Sequence, residues 1–273
     1  MTDIAIIGPR SSGKSTYLDA LARVARENTF PSLSISLYQD ENGQILDNRS
    51  QNVFEKGDVL GQTEVAEAGK EPTFAFTIKL PAGNYRVRQA QEIKLSFVDY
   101  AGEIFNKIAR KPDEVQSYIN QLMKVEAWMV MLTDFQPGKA DGEYQMILEA
   151  LWQKIQSKEI PMAVVMSKCE RGEIWPGRLD PDEDLFKVRL PKTYNYLTNP
   201  ENKISSERLK FFACSSFGVR AFQDPRPNRR NFDKHLSSEL SAVLRDDCSW
   251  KPYGLIAPLY WLSTGKVLSE PSI

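Results

Sequence analysis

Histidine is nearly absent from this chain: His235 is the only one. A single imidazole, set among polar neighbours, argues against histidine-assisted nucleophilic catalysis and against a histidine-rich metal site, and reads as a surface residue. Cysteine is scarce as well. Cys169, Cys214 and Cys248 form neither a spaced metal set nor an even disulfide framework, which points to a reducing cytoplasm. Charge of one sign is also lacking. Thirty-five Lys and Arg against 36 Asp and Glu leave a formal net charge of −1, so the whole molecule exerts no pull on nucleic acid or anionic lipid. No apolar run approaches the length of a membrane span; those at 127–132 and 254–262 are too short. The chain opens on a strand-like run without a signal-peptide pattern. It has Thr2 where myristoylation requires glycine, and it ends Pro271-Ser272-Ile273 without a prenylation cysteine. A cytoplasmic protein without a membrane segment is the expectation.

What is present is ordinary for a soluble globular chain, with 41% hydrophobic and 26% charged residues, and 273 residues are enough for a sizeable core. Short apolar runs at 4–7, 127–132, 162–166 and 209–213 read as buried strands. Between them, helical spacing is expected at 14–27, 42–56 (ended by Gly57), 102–124, 143–157 and 182–197, with Pro191 breaking or kinking the last. Alternating segments at 33–37, 74–80, 85–89 and 93–98 read as strands, the later ones making an antiparallel hairpin edge. Residues 225–231 read as a Pro- and Arg-rich loop in which Arg226, Arg229 and Arg230 are solvated or dock a partner, and 257–262 as part of a closing helix. The expected fold is therefore α/β: a mostly parallel P-loop NTPase sheet with helices on both faces. It is a single domain over 1–273, with an insertion at about 31–70 and a closing C-terminal segment at about 225–273.

The chemistry starts at residues 8–15, G-P-R-S-S-G-K-S, which follow the first apolar run and precede a helical one. This is the phosphate-binding pattern G-x-x-x-x-G-K-[ST] in its required setting. Gly8 and Gly13 let the backbone wrap so that N–H groups face a β-phosphate. Lys14 reaches the β- and γ-phosphates, and Ser15 offers its hydroxyl to Mg²⁺. Gly8, Arg10, Ser11, Ser12, Gly13, Lys14, Ser15 and Thr16 are the candidate triphosphate-binding residues, with the helix N-terminus adding its dipole. The run 93–98 ends in Asp99-Tyr100-Ala101-Gly102-Glu103. There Asp99 can hold Mg²⁺, usually through water, and the Gly102 N–H can meet a γ-phosphate; the competing reading is an ordinary strand-to-helix turn with Asp as a cap. The run 162–166 ends in Ser167-Lys168-Cys169-Glu170, a variant of the base-reading N/T-K-x-D loop. A carboxylate there accepts from guanine N1–H and the 2-amino group, while the lysine stem packs on the base. Glu170 reaches one methylene further than Asp. Cys214-Ser215-Ser216 resembles the short S-A motif whose backbone N–H reads guanine O6, or is a plain serine turn.

These motifs occur in the order and strand-end context of translation-factor-class P-loop GTPases. The 31–70 segment, the helix carrying L-P-K-T-Y (190–194) and the tail P-Y-G-L-I-A-P-L-Y-W-L (252–262) resemble the bacterial double-GTPase family. The departures from the family pattern are Ser167 and Glu170. The resemblance implies GTP and Mg²⁺ as ligands, slow hydrolysis, and a protein partner (a second GTPase or an effector) in conflict or stress signalling, with no direct nucleic-acid signal. It also implies a switch threonine completing the metal shell, for which Thr63 and Thr73 are the two candidates, Thr63 the better placed. Glu103 stands where relatives carry a water-orienting glutamine, or is simply a first-turn carboxylate. Arg10 would lie near the γ-phosphate as an arginine in cis, or face solvent. Two other readings remain: a P-loop kinase or ATPase with relaxed base choice, and a nucleotide-binding scaffold with little turnover.

Overall fold

The computed structural model describes residues 1–30, 33–57, 67–81, 90–134, 140–155, 160–202, 204–221, 224–232 and 241–268. The elements in chain order are β1 (Thr2–Ile7), α1 (Lys14–Glu27), β2 (Ser34–Leu37), α2 (Glu41–Gln51), β3 (Thr73–Leu80), β4 (Gln91–Asp99), α3 (Gly102–Arg110), α4 (Gln116–Leu122), β5 (Ala127–Leu132), α5 (Asp141–Ile155), β6 (Met162–Met166), α6 (Lys187–Arg189), α7 (Pro191–Thr198), β7 (Leu209–Ala213), β8 (Val219–Ala221), β9 (Asp224–Pro227), β10 (Arg229–Phe232), β11 (Ser241–Leu244) and α8 (Ala257–Thr264).

Seven strands form one sheet in the order β2-β3-β4-β1-β5-β6-β7. From β4 to β7 all neighbours are parallel, while β2–β3 and β3–β4 pair antiparallel. This is the expected P-loop α/β architecture with its antiparallel edge. Strand alternation builds two cores, because successive side chains point to opposite faces. Ile4 and Ile6 of β1 join Tyr17, Leu18, Leu21, Leu46, Leu259 and Trp261 on one face, under α1, α2 and α8. Ala5 and Ile7 join Ile104, Phe105, Ile119, Leu148, Leu151 and Leu197 on the other, under α3, α4, α5 and α7. Parallel strands covered on both faces carry continuous apolar runs, and all six residues of β5 are buried.

Three expected elements differ. The helix expected over 102–124 is interrupted at Lys111-Pro112: Lys111 sits at φ −144°, ψ 60°, and a tight turn at Pro112–Val115 separates α3 from α4. Proline lacks the N–H that would continue the ladder and moves the preceding residue out of helical space. The helix expected over 182–197 is a wide turn at Pro181–Phe186, then short α6, then α7, which begins on Pro191. The Pro- and Arg-rich segment is two strands rather than a loop: β9 pairs with β8, and β10 with β11, antiparallel. Two-stranded ribbons leave one edge of each strand unpaired, so Pro225 and Pro227 can be tolerated there. The 42–56 helix ends as expected at Gly57, with φ 66° and its last turn widened. The strand expected over 85–89 and His235 lie outside the described residues.

The C-terminal segment is tied to the loop after β7 and to α1. Ser215 and Tyr253 exchange reciprocal backbone bonds of 2.8 and 2.9 Å, and the fully buried Tyr17 hydroxyl donates to the Leu255 carbonyl.

Candidate functional site

All of the motif-bearing strands deliver their carboxyl ends to one edge of the sheet, because β4, β1, β5, β6 and β7 run the same way. Register sets Asp99 beside Ile6, two residues before the phosphate loop. The loop itself requires glycine at its first position. Gly8 has φ 152°, and a Cβ there would collide with the Met131 carbonyl oxygen. Gly13 and Ser11 also take positive φ, at 91° and 60°. The Tyr17 N–H donates to the Gly13 carbonyl at 2.8 Å and opens α1. Lys14 is only 6% exposed, and its Nζ donates to the Gly8 and Pro9 carbonyls at 2.9 and 3.0 Å. Burial brings its pKa down to about 8, against the pull of Asp99.

Asp99 is buried at the end of β4. Its Oδ2 is 3.5 Å from Ser15 Oγ, and its Oδ1 is buried without a hydrogen-bond partner. Burial raises its pKa, with Lys14 and then Arg49 opposing. Both Asp99 and Lys14 are therefore pushed toward neutrality, each losing more solvation than the other's charge returns. A hydroxyl and a carboxylate oxygen are hard donors of the kind Mg²⁺ takes, and the unpartnered Oδ1 leaves capacity for the ion or its water. Among the described residues there is no group of three or more His, Cys, Asp or Glu of the kind that would hold a metal by protein ligands alone. Thr73 is exposed at the entry of β3, with its hydroxyl 3.5 Å from the Glu71 carbonyl, and Thr63 lies outside the described residues.

Gly102 begins α3 directly against the phosphate loop. A Cβ on it would stand 2.5 Å from the Arg10 backbone nitrogen. Arg10 is exposed. Glu103 is half-exposed and turned along the helix, its carboxylate 3.1 Å from Lys107 Nζ.

The base loops are tied to the phosphate loop. Ser167 Oγ lies 2.5 and 3.0 Å from the Ser12 and Leu132 carbonyls, so this hydroxyl serves as a tether. Lys168, at φ 60°, donates from Nζ to the Ser11 carbonyl at 2.7 Å, and burial lowers its pKa to about 8. The Cys169 N–H donates to the Cys214 carbonyl at 3.0 Å, and the Cys214 N–H to the Met166 carbonyl at 2.8 Å, which joins the two base loops. Glu170 is 2% exposed. Ser215 Oγ donates to its Oε2 at 2.8 Å and accepts the Gly218 N–H at 2.8 Å. The Ser216 carbonyl accepts from Trp250 Nε1 at 2.9 Å.

The structure thus gathers residues 8–16, Asp99, Gly102, Ser167, Lys168, Glu170 and Ser215 at one sheet edge. Sequence reasoning missed Asp19 and Arg49, and read Arg229 as solvated or docking a partner, where it stands beside Glu170. Asp19 is fully buried on the same α1 face as Ser15, four residues on, and bonds Arg49 of α2. Its spacing from Ser15 was a readable signal; the pairings of Arg49 and Arg229 carried none, since long-range pairing leaves no local pattern. Arg229, from the C-terminal hairpin, stands 3.9 Å from Glu170 Oε1.

Fold and site together define an α/β phosphate-loop protein. No family model matches the chain, and no curated protein sequence matches it. Solved structures overlap it at low identity. One is the signal recognition particle receptor SRb-GTP/SRX complex from Chaetomium thermophilum, at 15% identity over 80% of this chain and 92% of that one, TM-score 0.40. Another is the GTP-bound S. cerevisiae Ski7 GTPase-like domain, at 13% identity, covering 88% of this chain and only 47% of that one, TM-score 0.39. A third is the G domain of the T. maritima FeoB iron transporter, at 9% identity over 79% and 88%, TM-score 0.31.

Proposed function

We propose that this chain is a cytoplasmic, Mg²⁺-dependent guanine-nucleotide switch that hydrolyses GTP slowly and signals to a protein partner, a second GTPase or an effector, in a bacterial conflict or stress-response system. The observation that carries the reading is the convergence at one sheet edge of a glycine-shaped phosphate loop, a buried lysine and a buried aspartate with an unfilled oxygen. Lys14 and the loop N–H groups would hold the phosphates. Ser15 and Asp99, with Thr63 or Thr73, would hold Mg²⁺, which when bound neutralises the triphosphate's charge. Gly102, packed on the loop, would report whether a γ-phosphate is present, and its segment is what a partner would read. Glu170, Lys168, Ser215 and Ser216 would meet the base. The signalling role rests on the resemblance in residues 31–70, 190–194 and 252–262.

A labelled guanine nucleotide titrated with Mg²⁺ and with chelator tests this. We expect tight binding with Mg²⁺, weakening without it, and loss in Lys14→Ala with the fold retained, because the change removes a cation at the start of α1 whose Nζ bonds two phosphate-loop carbonyls rather than apolar core packing. Full Mg²⁺–GTP affinity in that variant would remove the reading. The ATPase or kinase alternative is favoured by one observation, the existing partners of Glu170.

A further inference from the structure

The base-reading carboxylate already has company. Glu170 Oε2 accepts the Ser215 hydroxyl at 2.8 Å, and Oε1 lies 3.9 Å from the Nε of Arg229. That arginine comes from the C-terminal hairpin, outside every nucleotide motif in the chain. Its position is built. Asn228 is fully buried, its N–H donates to the Gly218 carbonyl at 2.9 Å, and its Nδ2 donates to the Ser249 carbonyl at 3.3 Å. Arg229 itself is registered against Leu244 in the β10–β11 ladder. Its charge also reaches the base-packing lysine: among the causes that lower the Lys168 pKa, after burial, is Arg229.

A lone buried carboxylate discriminates between purines by what happens when the wrong one binds. Guanine offers two donors. Adenine lacks that pair and strands the charge, and a stranded buried charge is heavily penalised. Here the charge is not stranded. A guanidinium keeps its proton at any working pH, so the partner is permanent. A carboxylate beside a guanidinium also presents an acceptor next to a donor. Guanine can give N1–H and N2–H to the carboxylate; adenine can give N6–H to the carboxylate and take a hydrogen bond at N1. The 3.9 Å spacing is an ion pair rather than a hydrogen bond, so Oε1 keeps acceptor capacity that guanine fills better.

Resting on the nucleotide-switch reading above, we propose that Arg229 is the residue that sets base specificity: it keeps Glu170 partnered whichever purine enters, and so holds the preference for GTP over ATP to a small factor.

The test is displacement of fluorescent-labelled GDP by GTP and by ATP at fixed Mg²⁺, for the wild type, Arg229→Ala, Arg229→Gln and Arg229→Lys, with thermal denaturation of each. The wild type should prefer GTP by about tenfold or less, far under the ~10⁴ of a site whose polar groups are stranded by the wrong ligand. Arg229→Ala should widen the ratio by on the order of tenfold, chiefly through weaker ATP binding. Arg229→Lys keeps the charge and should stay within about threefold of the wild type; Arg229→Gln, similar in length but uncharged, should widen the ratio as the alanine variant does, and so reads the proposal even where the alanine variant is unstable. A wild-type preference above about a hundredfold, or an unchanged ratio in Arg229→Ala, would overturn the proposal. Failure of labelled GDP to bind the wild type would instead overturn the nucleotide reading on which it rests.

Discussion

Arg49 Nε stands 2.7 Å from Asp19 Oδ1, and this carboxylate, 0% exposed, sits one helical turn below Ser15. The pair joins α2, within the 31–70 segment, to the helix that carries the phosphate loop. Ser50 strengthens the joint, its hydroxyl donating to the Asp19 carbonyl at 2.7 Å. Arg49 also lies over the Phe74 ring, 5.8 Å from its centroid, and its charge acts on Asp99. Removing Arg49 leaves a buried carboxylate with no cation. Arg49→Ala should therefore destabilise the fold by roughly 3–5 kcal/mol, and Asp19→Asn/Arg49→Ala together should recover part of that. Denaturant unfolding of the four proteins of this cycle checks it, and a loss in the double variant equal to the sum of the two single losses would show the pair to be incidental.

The same aspartate makes stability depend on pH. Burial, partly offset by Arg49, raises the Asp19 pKa from 3.8 to about 6. A carboxyl that binds its proton more tightly when folded contributes stability that is complete below 3.8 and lost as pH rises through about 6. The wild type should thus lose stability relative to Asp19→Asn between pH 4 and 7, measured by urea midpoints at half-unit steps. Parallel pH curves would place the titration elsewhere.

Lys14 carries the opposite sign into binding. Burial lowers its pKa to about 8, and phosphate contact requires the charged form. Nucleotide binding should be proton-neutral with respect to this group below pH 8 and should take up a proton above it, affinity falling by about tenfold per pH unit there. Calorimetry at pH 7 and pH 9, in buffers of different ionisation enthalpy, measures the proton count directly. No difference in uptake would mean that Lys14 stays charged in the empty loop.

What the sequence made legible follows from how each feature is encoded. The phosphate loop, Asp99 and Gly102 are local: fixed spacings next to strands whose apolar runs at 127–132, 162–166 and 209–213 match β5, β6 and β7 residue for residue. Where a proline sat inside a helical pattern, at Pro112, the periodic apolar residues masked the break, since Ile108, Val115 and Ile119 face one core across it. Reading 225–231 as a loop failed because Pro and Arg suit free strand edges as well as turns. The pairings of Arg49 and Arg229 were invisible for another reason. Each matters through a partner 30 or more positions away, Asp19 for one and Glu170 for the other, and a single sequence does not record such pairings.

Glu103 is the last residue whose role the geometry sharpens. It follows Gly102, and Gly102 is pressed on the loop at Arg10. Its carboxylate pairs with Lys107 at 3.1 Å, one turn along α3. Both side chains are substantially exposed, so the pair contributes little to stability and offers little resistance to a new partner. If Glu103 orients the attacking water, Glu103→Ala should slow single-turnover hydrolysis of bound GTP while leaving GTP affinity nearly unchanged, because the residue contacts water rather than nucleotide. Glu103→Gln should restore part of the rate. Lys107→Ala should leave it equal or faster, since it frees the carboxylate. The wild-type rate itself should fall near the ~10⁻⁴–10⁻² s⁻¹ of switches without an activating arginine. An unchanged rate in Glu103→Ala, with lowered helix stability as its only effect, would make Glu103 a first-turn carboxylate paired to Lys107. The nucleotide-binding scaffold would then be the better account of the chain.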